Sequence, residues 1–377
     1  MAQRREGKGT HKNAEAVGGQ YAAGDHTDDP PLSDPPTLAR PLTRHDEEAF
    51  RDLLEDAATI GGVDMHLVER DYWMCQIASS LLSLESKRYP GSYTSIGGGS
   101  LLSLAGITER LSEDVDINVT FVGGADACKP KWGKRLMEEC QAQVEEDLAI
   151  KGTRDPNGGG NYFRTVRYAY PSVLPQMGEE RPAVKSDKGL RDAPREHLMR
   201  LNGVPYVGRV AQDQMSTLLP GPRVPMHDDL ASRSILGTHP RQVLADKLDA
   251  VCWREGVVPT QGDRALDRMV GRIRDHYDIH CLIKWLSDRQ MLDADDFLET
   301  VERTKKQEGK LRARMRITRP ERDRPPGGYA TLNAWTPGTQ EHSALSEHYP
   351  RLRSVVFGEL PTYDEVCETI RSAEAAI

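Results

Sequence analysis

Asp114 and Asp116 are the residues with the clearest capacity for chemistry. They are separated by one apolar residue in a run where Val115, Ile117 and Val119 alternate with Asp114, Asp116 and Asn118. That is the period-two pattern of a half-buried strand. On a strand both carboxylates project from one face, roughly 7 Å apart at their Cα atoms. Two unneutralised carboxylates repel by about 4 kcal/mol at a separation of about 4 Å and an effective dielectric of about 20. A positive charge is expected between them, and hard carboxylate oxygens suit Mg²⁺ or Mn²⁺.

Gly97-Gly98-Gly99-Ser100 supplies the other half of a site. It follows a short strand-like run ending at Ile96 and leads into a helix-compatible segment, Leu101 to Ile107. Successive glycine N–H groups entering a helix form an anion-binding concavity, so Gly98, Gly99 and Ser100 are candidate phosphate contacts. A phosphate cradle beside a carboxylate pair is what metal-assisted phosphoryl or nucleotidyl transfer requires. The plain alternative is a tight turn before an edge strand with a solvated acidic face. Asp114-Val-Asp116 arriving fourteen residues after Ser100 favours the chemical reading.

That spacing resembles the DNA polymerase β-like nucleotidyltransferase superfamily, marked by paired small residues, a short helix and Asp-hydrophobic-Asp. The flanks, Arg110-Leu-Ser-Glu-Asp-Val-Asp-Ile117, resemble the AbiEii/AbiGii toxin nucleotidyltransferases, which include the mycobacterial MenT-type toxins. The resemblance implies an α/β (α+β) fold: a polymerase β-like core with a mixed sheet flanked by helices, plus a helical C-terminal domain.

The rest of the chain must position these residues. Its 377 residues predict two or three structural units, and 29% charged residues indicate a soluble protein. The net charge of −8 gives no global nucleic-acid footprint, so such a contact must be local. Six dispersed cysteines without a Cys-x-x-Cys read as reduced thiols. With no long apolar run or leader pattern, a cytoplasmic protein that does not enter membranes is expected.

Residues 1–40 carry almost no large apolar side chains and read as a disordered tail. Residues 41–235 are expected to hold the nucleotidyltransferase core and 236–377 the helical domain. Helices are predicted at Glu48 to Thr59, Met65 to Leu84, Pro130 to Ile150, Arg241 to Arg254 and about Ala265 to Leu286. Strands are predicted at Tyr162 to Tyr170 and Pro182 to Asp187, with Asn157 to Gly160 as a loop. Thr238 is the expected cap of the helix starting at Pro240. Residues 200–235 show little pattern. From Arg303 to Arg324 ten basic residues face three acids, which reads as a basic connector, 303–328, either solvated or touching RNA phosphates.

The family resemblance extends in pieces over roughly residues 45–375. Val68-Glu-Arg-Asp-Tyr-Trp73 is similar to a segment preceding the nucleotide loop, although each residue alone reads as ordinary helix surface. Val184-Lys-Ser-Asp-Lys-Gly-Leu-Arg191 loosely matches a pattern with a third acid. This makes Asp187 a candidate metal ligand and Arg191 a phosphate or structural arginine. Asp246-Lys247, Arg254 and Arg274-Asp-His-Tyr-Asp-Ile279 match later motifs. They imply Lys247 and Arg254 as nucleotide contacts, with Asp278 orienting Lys247 or the acceptor hydroxyl. Asp275 is less clearly marked, and His276 and His280 lack a third ligand, so they read as ordinary helix positions. Phe357-Gly-Glu-Leu-Pro-Thr-Tyr-Asp364 resembles a turn near the family's C-terminus.

Relatives commonly carry lysines where this chain has Gly97 and Leu104. The resemblance implies transfer of a nucleotide from an NTP to an RNA acceptor such as the 3′ end of tRNA. It also implies a toxin role in a toxin–antitoxin or phage-defence pair, with a cognate antitoxin. A small-molecule nucleotidyltransferase of the antibiotic-modifying kind and a non-catalytic nucleotide-binding module are the alternatives.

Overall fold

The computed structural model describes residues 47–84, 86–176, 181–191, 197–218, 230–315 and 324–377. The expected N-terminal tail, 1–40, lies outside the described residues. Seven strands form one mixed sheet in the order β3-β4-β5-β2-β1-β7-β6. The centre is β2 (Asp114–Thr120), antiparallel to β1 (Tyr93–Ile96) on one side and parallel to β5 (Ala183–Arg191) on the other. Beyond β5 lie β4 (Phe163–Ala169) and β3 (Lys151–Gly159), both antiparallel. Beyond β1 lie β7 (Arg233–Thr238), parallel to it, and β6 (Leu198–Gly203).

The strand over Asp114 to Val119 forms as its alternation predicts, with Val115, Ile117 and Val119 fully buried. Asn118 and Thr120 are buried as well, so the strand is covered on both faces beyond Asp116. Asn118 satisfies its amide by donating to Thr238 Oγ1 at 3.0 Å. Thr238 is not the helix cap expected of it. The helix after it, α6 (Pro240–Glu255), is capped by His239, whose ring accepts from the Arg241 N–H at 3.2 Å.

The glycine turn leads into α3 (Gly98–Leu104), three residues earlier than expected, and Gly98 adopts φ +53°. Before it come α1 (Glu47–Gly61) and α2 (Met65–Leu82). Helix α2 packs against α1, the sheet, α4 (Pro130–Leu148) and α5 (Tyr206–Leu218). Enclosure on several sides explains why Glu69 and Asp71, expected on a surface, are fully buried. Glu69 accepts from the Val173 N–H at 2.8 Å and Ser172 Oγ at 2.6 Å. Asp71 accepts from the Tyr206 N–H at 2.7 Å and Ser103 Oγ at 3.3 Å. Buried carboxylates require such partners.

Several other expectations are corrected. Residues 157–159 continue β3 rather than forming a loop. The unpatterned stretch 200–235 contains most of β6, all of α5 and the start of β7. The single helix expected over 265–286 is broken. Helix α8 (Asp263–Val270) stops at Gly271, and α9 (Arg274–Asp288) begins after Ile273. A four-residue helix, α7 (Val258–Gln261), precedes them. The first part of the basic stretch is helical, within α10 (Ala294–Met315), because good helix formers dominate it and Phe297 and Val301 anchor one face. Residues 316–323 lie outside the described residues.

Short 3₁₀ turns and two helices, α11 (Gln340–His348) and α12 (Tyr363–Ala373), complete the chain. The Thr362 hydroxyl and Glu365 close a capping box at the start of α12, within the C-terminal turn that the sequence marks. One apolar cluster includes Phe50, Trp73, Ile117, Leu248, Leu282 and Val366, so both halves of the chain share a core. No described helix is long and apolar enough to cross a membrane.

Candidate active site

Strand register assembles the carboxylates. In the parallel pair β2–β5, Asp116 lies opposite Asp187 and Asp114 opposite Lys185. In the antiparallel pair β5–β4, Asp187 lies opposite Thr165 and Lys185 opposite Arg167. Two rows therefore cross one face of the sheet: Thr165–Asp187–Asp116 and Arg167–Lys185–Asp114. Oxygens of Asp114, Asp116 and Asp187 lie within 4.8 Å of one another. Asp187 is thus brought to the pair despite its loose sequence match. Thr165 Oγ1 donates to Asp187 Oδ1 at 2.5 Å.

The Lys185 ammonium pairs with Asp187 Oδ2 and sits 3.6 Å from Asp114 Oδ2. Partial burial alone would push its pKa down, but Asp187, Asp114 and Asp116 together hold it above the usual lysine range. The side chain carries a cation where three hard oxygens converge, so the donor set suits a divalent ion such as Mg²⁺ or Mn²⁺.

The glycine turn is fastened to the same strand. Gly97 N–H donates to Asp116 O at 2.9 Å, and Asp116 N–H donates to Ser100 Oγ at 3.1 Å. Ser100 Oγ in turn donates to Gly97 O at 2.9 Å. The hydroxyl of Ser100 is therefore a brace between turn and strand. The first intrahelical bond is Leu101 N–H to Gly97 O, 3.1 Å, so the N–H groups of Gly98, Gly99 and Ser100 precede the helix ladder.

Behind the turn lies a buried charge network. Arg110 donates to both oxygens of Asp278, Nε to Oδ1 and Nη2 to Oδ2, each at 2.6 Å. Lys247 Nζ sits 2.8 Å from Asp278 Oδ2 and 2.8 Å from Asp275 Oδ1. Arg254 Nη1 donates to Asp275 Oδ2 at 2.7 Å. Burial would raise both carboxyls, but Arg110 and Lys247 pull Asp278 down, and Lys247 and Arg254 pull Asp275 well down. Burial would likewise lower Lys247, and the two aspartates more than offset it. Asp275, weakly marked by sequence, is the hub joining Lys247 and Arg254. Arg274 pairs with Glu113, not with Asp278 one turn along its helix.

The network touches the turn at Gly99, where an added Cβ would lie 2.6 Å from Arg110 Nη2. Arg110 is placed by backbone pairing with the C-terminal segment. Leu111 N–H donates to Val355 O at 2.9 Å and Phe357 N–H to Glu109 O at 2.8 Å. His276 is buried and accepts from Trp335 Nε1 at 2.9 Å, the ordinary core position expected for it. His280 Nδ1 lies 2.9 Å from Thr369 Oγ1. Arg191 is buried at the end of β5, with its Cζ 3.4 Å from where a Cβ on Gly189 would be.

A cleft of about 580 Å³ opens beside Asp114 and Lys185, and Arg70, Arg167, Arg272, Arg274 and Arg351 also line it. Sequence reasoning assigned none of these arginines a role, nor Lys185 and Arg110. Arg70, Arg110, Lys185 and Arg274 did lie inside the family motifs, signals available in the sequence.

With this geometry in hand, the comparison with known families is decisive. The profile described as "Nucleotidyl transferase AbiEii toxin, Type IV TA system" matches residues 93–368. The chain belongs to the AbiEii nucleotidyltransferase toxins. The matched span runs from β1, through the carboxylates, Lys247 and Asp278, into α12. The protein is accordingly a nucleotidyltransferase toxin of the type IV toxin–antitoxin class, which makes an NTP its substrate and an antitoxin its counterpart. Among solved structures it is similar to MenT4, a nucleotidyltransferase toxin from Mycobacterium tuberculosis H37Rv. The identity is 14%, with 90% of this chain and 98% of that chain covered and a TM-score of 0.32. The family assignment rests on the profile match and not on this likeness. No curated protein matches the chain.

Proposed function

We propose that this AbiEii-family protein transfers a nucleotide from an NTP to an RNA acceptor, the 3′ end of tRNA, in a reaction dependent on Mg²⁺ or Mn²⁺. The observation that carries this reading is the convergence of Asp114, Asp116 and Asp187 within 4.8 Å beside a glycine turn. The three carboxylates would hold the metal, which supplies charge neutralisation for the triphosphate and the attacking oxygen. The N–H groups of Gly98, Gly99 and Ser100 would receive phosphate oxygens. Lys185, held beside Asp187 and Asp114, would supply positive charge on the metal side of the site, where relatives carry lysines at the positions of Gly97 and Leu104.

Lys247 is assigned a part in holding triphosphate charge, with Asp278 fixing its position. Arg254 acts on Lys247 through Asp275 in this reading. Residues from 236 onward form the helical part that backs the turn through Arg110 and Asp278.

Incubation with each labelled NTP, Mg²⁺ or Mn²⁺ and total cellular RNA, followed by a denaturing gel, tests the reading. A label appearing in a tRNA-sized band with the wild type, and absent with Asp116→Asn, is the expected result. Label appearing only in small molecules, or nowhere with any NTP, would overturn it.

A further inference from the structure

The cleft beside the carboxylates holds more positive charge than the nucleotide can use. Its walls carry Arg70, Arg167, Lys185, Arg272, Arg274 and Arg351, set against only Glu113 and Asp114. Lys185 is engaged by Asp187 and Asp114, and Arg274 by Glu113. Among the described residues Arg70, Arg167, Arg272 and Arg351 form no close ion pair, although Arg70 acts at longer range on Glu113 and Asp71, and Arg272 on Asp275. Arg70 Nε is buried with no acceptor among the described residues. An unmet buried donor costs free energy that a ligand oxygen would restore.

These four side chains come from α2, β4, the α8–α9 turn and the 3₁₀ segment before Val355. Like charges from four separate elements repel when gathered in one cleft, so an anion that joins them is expected. In the proposed reading the metal, Lys185 and the turn N–H groups already serve the triphosphate. Four further guanidinium groups fit a second polyanion. All four are arginines, whose planar fork matches phosphate oxygens bidentately. The whole chain carries −8, so this is a local basic footprint on an acidic protein. A phosphodiester strand delivers its charges at successive positions along such walls, which here enclose a cleft of about 580 Å³.

We propose that Arg70, Arg167, Arg272 and Arg351 bind the phosphodiesters of a single-stranded acceptor segment and lead its 3′ end to Asp114 and Asp116. The proposal rests on the RNA-acceptor reading above and names the residues that hold the acceptor. Arg167 is the neighbour of Lys185 across β4–β5, and Lys185 the neighbour of Asp114 across β5–β2, so the row itself runs from the cleft to the carboxylates.

The test is binding of a fluorescein-labelled single-stranded oligoribonucleotide with a free 3′ hydroxyl to the full chain, without NTP and with EDTA. Anisotropy is read across a salt series. A variant with all four arginines changed to Gln should lose affinity ~10-fold or more at low salt. Its log–log salt slope should fall by about 2–3, since each phosphate neutralised on a single strand adds about 0.7 to that slope. Binding of a non-hydrolysable NTP with Mn²⁺, read by calorimetry, should remain. If the fourfold variant unfolds, Arg167→Gln/Arg351→Gln, both exposed, should still lower the slope by about 1. Unchanged oligonucleotide binding would overturn the proposal. So would loss of NTP binding with RNA binding intact, which would assign the arginines to the triphosphate. Arginine-dependent RNA binding without any RNA labelling would sink the transfer reading and leave this surface standing.

Discussion

Arg110 and Asp278, 168 residues apart, form a bidentate ion pair in which both side chains are almost wholly buried. The pair joins the segment before β2 to α9. Lys247 shares the same carboxylate, and Gly99 lies against the guanidinium. Removing Asp278 would leave two buried cations competing for Asp275. Asp278→Asn is therefore expected to destabilise the protein by about 3–5 kcal/mol, the usual cost of breaking a buried pair from one side. Urea unfolding measures it. A midpoint equal to that of the wild type would mean that solvent reaches Arg110.

Lys247 tests whether this network serves the reaction. Lys247→Ala leaves Asp275 with Arg254 and Asp278 with Arg110, so the fold should survive. Removing an interaction that strengthens as negative charge develops costs about 10²–10³ in rate. In the proposed reading Asp278 acts on the reaction through Lys247, so adding Asp278→Asn should lower the rate little further. Steady-state rates of both single variants and the double variant decide it, and strictly additive losses would separate the two residues.

At the carboxylates, Asp114→Asn and Asp116→Asn should each abolish Mn²⁺ binding and nucleotide transfer while keeping the far-ultraviolet spectrum, since the amide retains shape but not charge. Lys185→Met should do the reverse to the metal. Removing the ammonium that occupies the oxygens is expected to tighten Mn²⁺ roughly tenfold, because the ion no longer competes with a tethered cation. Electron paramagnetic resonance titration of free Mn²⁺ reads both effects, and weaker binding by Lys185→Met would remove the idea of competition.

The glycine turn makes a steric prediction. A Cβ on Gly99 would lie 2.6 Å from Arg110 Nη2, and Asp278 prevents that guanidinium from yielding. Gly99→Ala should cost about 1–3 kcal/mol through overpacking. Gly98, at φ +53°, should cost about 1–2 kcal/mol as alanine through backbone strain alone. Wild-type thermal unfolding for Gly99→Ala would show that the contact gives way.

Stability should also depend on pH through the buried histidines. Burial lowers His276 to about 3, and His239 and His280 to about 4, from an ordinary value of 6.5. Between those values the unfolded chain binds protons that the folded chain does not. Stability is therefore full above about pH 6.5 and falls as the pH drops toward 4, the direction set by lowered folded-state values. Replacing His276 with Gln, which can still accept from Trp335, should flatten thermal midpoints over that window. An unchanged pH profile would place the acid sensitivity elsewhere.

Asp114, Asp116 and the Gly97–Ser100 turn were legible in the sequence because their relationship is local. Period-two alternation puts two carboxylates on one face, and a short helix returns the chain to the strand beside the turn. The family motif in the same stretch added the expected reaction. Lys247 and Asp278 were visible only as pieces of motifs, without their partners. Residues 200–235 hid two strands and a helix because β6 and β7 are only six residues each and are separated by Pro and Gly. Their pairing with the sheet, rather than their own pattern, makes them strands.

What tertiary structure alone decided is which distant residues meet. The parallel register of β2 with β5 sets Asp187 beside Asp116 and Lys185 beside Asp114, and a one-residue slip would send both away from the site. Packing of α6 and α9 behind the turn joined Arg110, Lys247, Arg254, Asp275 and Asp278 into one network. The arginine cleft draws on four elements with no shared periodicity. Local sequence determines which face a side chain occupies on its own strand or helix. The facing partner depends on register and packing between segments more than a hundred residues apart, where no local pattern reaches.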